Sequence, residues 1–111
     1  MHGIMLTISG EHGPQYVRST DVLYIEVQNH SLIYHTQYSD LTATGTLKRV
    51  ENQLAEEGFF RCNYCYLVNL RHVDFLDGNT VMVGGHPLQI SRNRRKDFLQ
   101  QMTGFYGKGG R

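Results

Sequence analysis

Four cations within five positions, Arg92, Arg94, Arg95 and Lys96, follow directly on Leu88-Gln89-Ile90-Ser91 near the end of this 111-residue chain. Phosphate oxygens are their natural partners, and an Arg can also give two parallel N–H donors to O6 and N7 of guanine. The cations stand where a helix is expected to start, so they oppose its macrodipole and cost stability unless an anion answers them. A phosphate would do so, through the side chains and through free backbone N–H groups together. Arg92, just after a strand, is best placed to reach a base edge. The other reading is a solvated basic helix.

Cys62-Asn63-Tyr64-Cys65 matches C-x-x-C, which elsewhere marks a redox pair or half of a zinc site. On a strand, residues three apart lie roughly 10 Å apart on opposite faces, beyond the ~7 Å reach of a disulfide. Zinc needs two further ligands, and the histidines at 2, 12, 30, 35, 72 and 86 contain no H-x₃₋₅-H pair. One buried and one partly exposed cysteine is the simplest expectation, with an oxidation-sensitive DNA binder as a further one. Ser91, His86 and Asp97 could be collected as a triad, but no nucleophile elbow, H-E-x-x-H pair or P-loop accompanies them. No catalytic residue, metal or cofactor is expected.

The elements that position these groups follow from apolar patterning. Ile4–Ser9 and Tyr16–Arg18 form a hairpin about Glu11-His12-Gly13-Pro14. In Val22–Val27, Leu23, Ile25 and Val27 make an apolar face that belongs to the core. Gln28-Asn29-His30-Ser31 is a polar turn before a returning strand at Leu32–Thr36, which sets His30 at a loop tip. After a turn near Tyr38–Asp40, Leu47, Val50 and Leu54 predict a helix over Thr46–Glu57, with Gly58 as its stop. Strands follow at Phe60, Tyr64–Val68, Val73–Leu76, Val81–Val83 and Leu88–Ile90, with Asp77-Gly78-Asn79 as a hairpin turn. Ser91 is the N-cap of a last helix, helical from Arg94 to Met102. The glycines after it predict fraying unless Phe105 or Tyr106 docks.

Charge is uneven along the chain. Residues 1–90 carry five cations against nine acids, a net of −4, whereas residues 91–111 carry six against one, a net of +5. Such asymmetry points to a polyanionic partner. No apolar run approaches the ~20 residues of a membrane span, and a cytoplasmic location is the default expectation. Two cysteines make no disulfide framework, in keeping with a reducing compartment.

Tyr24-Ile25-Glu26, Leu47 with Val50, Phe59-Phe60-Arg61-Cys62, Leu67-Val68-Asn69-Leu70 and Leu88-Gln89-Ile90-Ser91-Arg92, at these separations, resemble the LytTR family of DNA-binding domains. The resemblance spans roughly Val22 to Met102. It implies a mainly β fold, elongated and mostly antiparallel, with one short internal helix and a C-terminal basic helix. It also implies sequence-specific binding of double-stranded DNA through loops in the major groove, as in the output domain of a two-component response regulator. His30 and Arg92 match family positions that reach bases. The family commonly has Cys-His and a polar pair where this chain reads Cys62-Asn63-Tyr64-Cys65, which leaves Asn63 or Tyr64 as the middle contact. Asn69 is expected to cap a turn, and Glu26 to be held by a structural hydrogen bond.

The expectation is therefore a LytTR-like domain over residues 1–103 and a flexible Gly-rich tail over 104–111. His30, Asn63, Tyr64 and Arg92 supply specificity, while Arg94, Arg95 and Lys96, with Arg61 or Arg71, supply affinity. No membrane or small-molecule substrate is implied, and homodimers on paired sites are compatible with the family. The alternative is a protein-interaction module pairing through exposed strand edges.

Overall fold

The computed structural model describes residues 3–107; Met1, His2 and residues 108–111, with the cations Lys108 and Arg111, lie outside them. Val22-Leu23-Tyr24-Ile25 is a run of four apolar side chains, all buried. A strand of that composition belongs where both faces are covered. It opens β3 (Val22–Gln28), the middle strand of a five-stranded sheet. Its flanks are β4 (Ser31–Thr36) and β5 (Asp40–Thr44) on one side, β7 (Tyr66–Asn69) and β6 (Phe59–Arg61) on the other. All neighbours pair antiparallel.

Each face of this sheet carries its own core. On one, the hairpin of β1 (Met5–Gly10) and β2 (Gly13–Arg18) joins helix α1 (Leu47–Gln53) to bury Leu6, Ile8, Ile25, Leu32 and Leu54. On the other, a three-stranded sheet of β8 (Val73–Asp77), β9 (Thr80–Val83) and β10 (His86–Gln89) joins helix α2 (Arg95–Gly107). That core holds Leu23, Val68, Val81, Ile90 and Phe98. Phe98 is fully buried, which stabilises the docking of α2 by about 2–3 kcal/mol. The molecule measures 39 × 31 × 24 Å along its principal axes.

Strict alternation in β3 does not hold. The register against β4 shifts between Val22 and Tyr24, so Val22 and Ile25 reach the first core while Leu23 and Tyr24 reach the second. A bulge of this kind turns the strand between two packed faces. Residues 40–44, beginning inside the expected turn, form β5, which pairs with β4 from Ser31↔Thr44 to His35↔Asp40.

Helix α1 ends at Gln53 instead of Glu57. Its N-cap Thr46 accepts the Arg49 N–H at 3.2 Å, a bond stabilising the helix by about 1 kcal/mol. Turns carry the chain on to Gly58, which has φ +79. A Cβ there would stand 2.7 Å from Phe105 Cε1, so this glycine makes room for α2 more than it ends α1.

Ser91 does not cap α2. It precedes a 3-10 turn, Arg92–Arg94, makes no side-chain cap, and leaves α2 to start at Arg95. The helix runs through Gly104 to Gly107 because its end is docked: Phe105 packs on the second core, and Tyr106 Oη donates to the Leu70 carbonyl at 3.0 Å. Residues 104–107, expected in the tail, are thus helical. No described helix is long and apolar enough to cross a membrane.

Candidate nucleic-acid interface

The β3–β4 connection is two residues long, Gln28 pairing with Ser31 across it. Such a tight turn needs positive φ at both central positions, where Asn-Gly is the favoured pair. Here Asn29 has φ 48 and His30 has φ 68. His30 is exposed and held in a left-handed conformation that a glycine would adopt without strain.

The second turn joins β6 to β7. The Cys62–Cys65 segment is this turn and not a strand, closed by Cys62 N–H donating to the Tyr66 carbonyl at 3.1 Å. Asn63 builds it: its Oδ1 accepts from the backbone N–H of Cys65 at 2.6 Å and of Tyr66 at 3.2 Å, and its Nδ2 donates to the Gln89 carbonyl. Tyr64 is left at the tip, 87% exposed. Cys62 is fully buried, and burial pushes its thiol up to about 12; Cys65 is exposed.

The third segment follows β10 and is stitched to the second turn. Ser91 N–H donates to the Cys62 carbonyl at 2.8 Å, and Arg94 Nη1 to the Arg61 carbonyl at 3.4 Å. Arg92, between them, is exposed and takes part in no ion pair among the described residues.

Arg61 links these pieces. Its Nη1 pairs with Glu51 at 3.1 Å, and its Nη2 holds the Tyr64 carbonyl at 3.1 Å. Its Nε is buried with no partner. A shallow hollow is lined by His30, Thr46, Lys48 and Arg61, which places the first turn beside the second. Lys48 is exposed on the first turn of α1, where a lone surface lysine carries no sequence pattern.

Other expected residues lie elsewhere or are already engaged. Arg71 lines a different hollow, with Glu57, Gly58 and Phe105. Arg95 Nε donates to the Gly78 carbonyl in the β8–β9 turn at 2.8 Å. Lys96 is exposed on α2, beside Leu99 and Thr103. Asn69 caps the turn after β7 by accepting Arg71 N–H at 3.1 Å, and ties it to the Val22 carbonyl at 2.9 Å.

Glu26 is likewise internal to the sheet. His35 bridges it, Nε2 to Glu26 Oε1 at 2.8 Å and Nδ1 to Asp40 Oδ1 at 3.0 Å, and stacks on Tyr24 with centroids 4.2 Å apart. Burial, with Glu26 nearby, pushes the Tyr24 hydroxyl up to about 12. This cluster fastens β3, β4 and β5 behind the His30 turn.

The LytTr DNA-binding domain profile matches residues 15–103. A solved LytTr DNA-binding domain of a Bacillus cereus response regulator shares the fold, with a TM-score of 0.77 at 19% identity, over 91% of this chain and 98% of that one. Among curated proteins nothing matches. With the profile covering most of its length, the chain belongs to the LytTR family of DNA-binding domains.

Proposed function

We propose that this domain reads double-stranded DNA through three projecting segments: the Asn29-His30 turn, the Cys62–Cys65 turn and Arg92–Arg94. It regulates transcription as the output domain of a response regulator. The observation that carries this reading is the continuity of the three segments through Arg61, which touches the second and third and shares a hollow with the first. The three segments form one surface, as a reader spanning adjacent grooves requires.

Within that surface the roles divide by what each side chain has left to offer. His30, Tyr64 and Arg92 are exposed and project from turns, so they take base edges or the thymine methyl. Asn63 spends its amide on the loop and positions Tyr64. Arg94 and Lys48, with Lys96 further along α2, take phosphates. Arg61 braces the second turn, and its partly covered charge adds to the field. Homodimers on paired sites fit this reading, since regularly spaced half-sites multiply the affinity of a small reader.

Selection from a pool of random duplex DNA tests it. A sequence motif should be enriched by the wild-type domain, degraded at one base position by Arg92→Ala and at another by His30→Ala. Recovery of one unchanged motif with all three proteins would refute the assignment of these two side chains. No enrichment at all, with salt-insensitive capture of an extended peptide, would favour strand-edge pairing to a protein instead.

A further inference from the structure

The three projecting segments, residues 29–30, 62–65 and 92–94, contain no Asp or Glu, and none lines the hollow shared by His30, Lys48 and Arg61. A surface that meets phosphates gains from this, because a carboxylate on it would repel them. One carboxylate nevertheless bonds a residue of that surface. Glu51, on α1, holds Arg61 Nη1 at 3.1 Å. The two side chains are 33% and 17% exposed, so water screens the pair less than it would an open surface pair.

Lys48 lies one helical turn before Glu51, at a spacing where opposite charges commonly meet. Glu51 bonds Arg61 instead, and Lys48 enters no ion pair among the described residues. Arg61 is therefore the cation that Glu51 offsets. Its Nη2 still holds the Tyr64 carbonyl, so Arg61 shapes the second turn without adding a full positive charge to the attraction that every DNA sequence feels.

We infer that Glu51 restrains DNA binding: its carboxylate offsets the Arg61 charge, so that Arg61 positions the Tyr64 turn while sequence-independent affinity is held down. This role rests on the DNA-reading assignment and gives its surface a residue that acts against affinity. Glutamine separates charge from bracing. Its Oε1 accepts from Arg61 Nη1 as the carboxylate does, and its helix propensity is close to that of glutamate.

The 111-residue chain, Glu51→Gln and Glu57→Gln are titrated by fluorescence anisotropy against a selected duplex and its shuffled counterpart, at low and moderate salt. Glu57 lines the Arg71 hollow on the α2 side, so its variant makes the same change in net charge away from the reading surface. Glu51→Gln should bind both duplexes about threefold or more tightly at low salt, with a gain that shrinks as salt is added. The slope of log affinity against log salt should steepen by up to about one. Amide shifts of Asn63 and Cys65 should stay near native, and Glu57→Gln should gain little. Unchanged or weaker binding by Glu51→Gln would overturn the inference; weaker binding with displaced Asn63 and Cys65 amides would show that the carboxylate serves the turn. Equal gains in the two variants would also overturn it, because net charge alone would account for them. In each of these cases a wild type that prefers the selected duplex keeps the DNA-reading assignment standing. A wild type without that preference would overturn the assignment and the role of Glu51 together.

Discussion

Arg61 Nη2 donates to the backbone carbonyl of Tyr64 at 3.1 Å, so the residue entering the β6–β7 turn holds the residue at its tip. The same guanidinium pairs with Glu51, and both bonds need its planar fork. Arg61→Ala would free the tip and leave Glu51 unpaired near the phosphates. DNA affinity should drop on the order of tenfold or more, with Arg61→Lys recovering only part of it. Tyr64→Ala should weaken binding while leaving the amide shifts of Asn63 and Cys65 near native. If Arg61→Lys bound DNA as tightly as wild type, the bracing role would be wrong.

In the proposed reader, His30 sets stability against DNA binding. Its φ of 68 costs about 1–2 kcal/mol that glycine avoids. His30→Gly should therefore raise the urea midpoint slightly or leave it unchanged, and at the same time weaken specific DNA binding. A variant that lost stability and kept its affinity would show that the imidazole serves the fold.

Gly58→Ala brings a methyl to 2.7 Å from the Phe105 ring and forces a side chain into positive φ. The expected loss is about 1–3 kcal/mol, measured by urea unfolding. The loss should be smaller in a Phe105→Ala background, where the ring is gone. Equal losses in both backgrounds would place the whole cost in the backbone.

The two cysteines should differ sharply in reactivity. Iodoacetamide near neutral pH should label Cys65 and spare Cys62, whose burial pushes its thiol up to about 12. The same shift acts on stability. From about 9, the ordinary thiol value, up to about 12, the unfolded chain loses a proton that the folded one keeps, so stability falls as pH rises through that window. Tyr24, raised from 10.0 to about 12, adds to the fall above pH 10. Cys62→Ala should move the onset of alkaline destabilisation upward by about a pH unit, toward the tyrosine value. Identical alkaline profiles for the two proteins would mean that Cys62 titrates alike in both states.

Lys48 joins the proposed phosphate-binding surface because it lines one hollow with His30 and Arg61. Lys48→Ala should weaken all duplexes alike and lower the slope of log affinity against log salt by about one. Arg71→Ala, on the α2 side of the molecule, should leave that slope unchanged.

Much of this was legible in the chain because it is written locally. Asp77-Gly78-Asn79 and Gln28-Asn29-His30-Ser31 mark hairpin turns, and β8–β9 and β3–β4 turn there. Asn69 as a cap and Glu26 as a bonded carboxylate are expectations from the family resemblance, and both bonds are present. Features that depend on distant partners were not legible. The bulge in β3 answers a second core supplied by β9, β10 and α2, all far downstream. β5 is Asp-Leu-Thr-Ala-Thr, whose pattern is too weak to mark a strand before β4 offers it an edge. Asn63 reads as a free amide until Gln89 is brought against it, and nothing local to Arg71 shows that it lines a hollow with Glu57 and Phe105.

Fluorescence anisotropy of a selected duplex and of its shuffled counterpart, titrated with wild type, His30→Ala and Arg92→Ala across a range of salt, tests whether these two side chains read sequence. Wild type should prefer the selected duplex, with an affinity that falls steeply with salt. Each variant should lose about 1–3 kcal/mol on the selected duplex alone. Equal affinity for both duplexes, or losses of the same size on both, would contradict a reader built on these two turns.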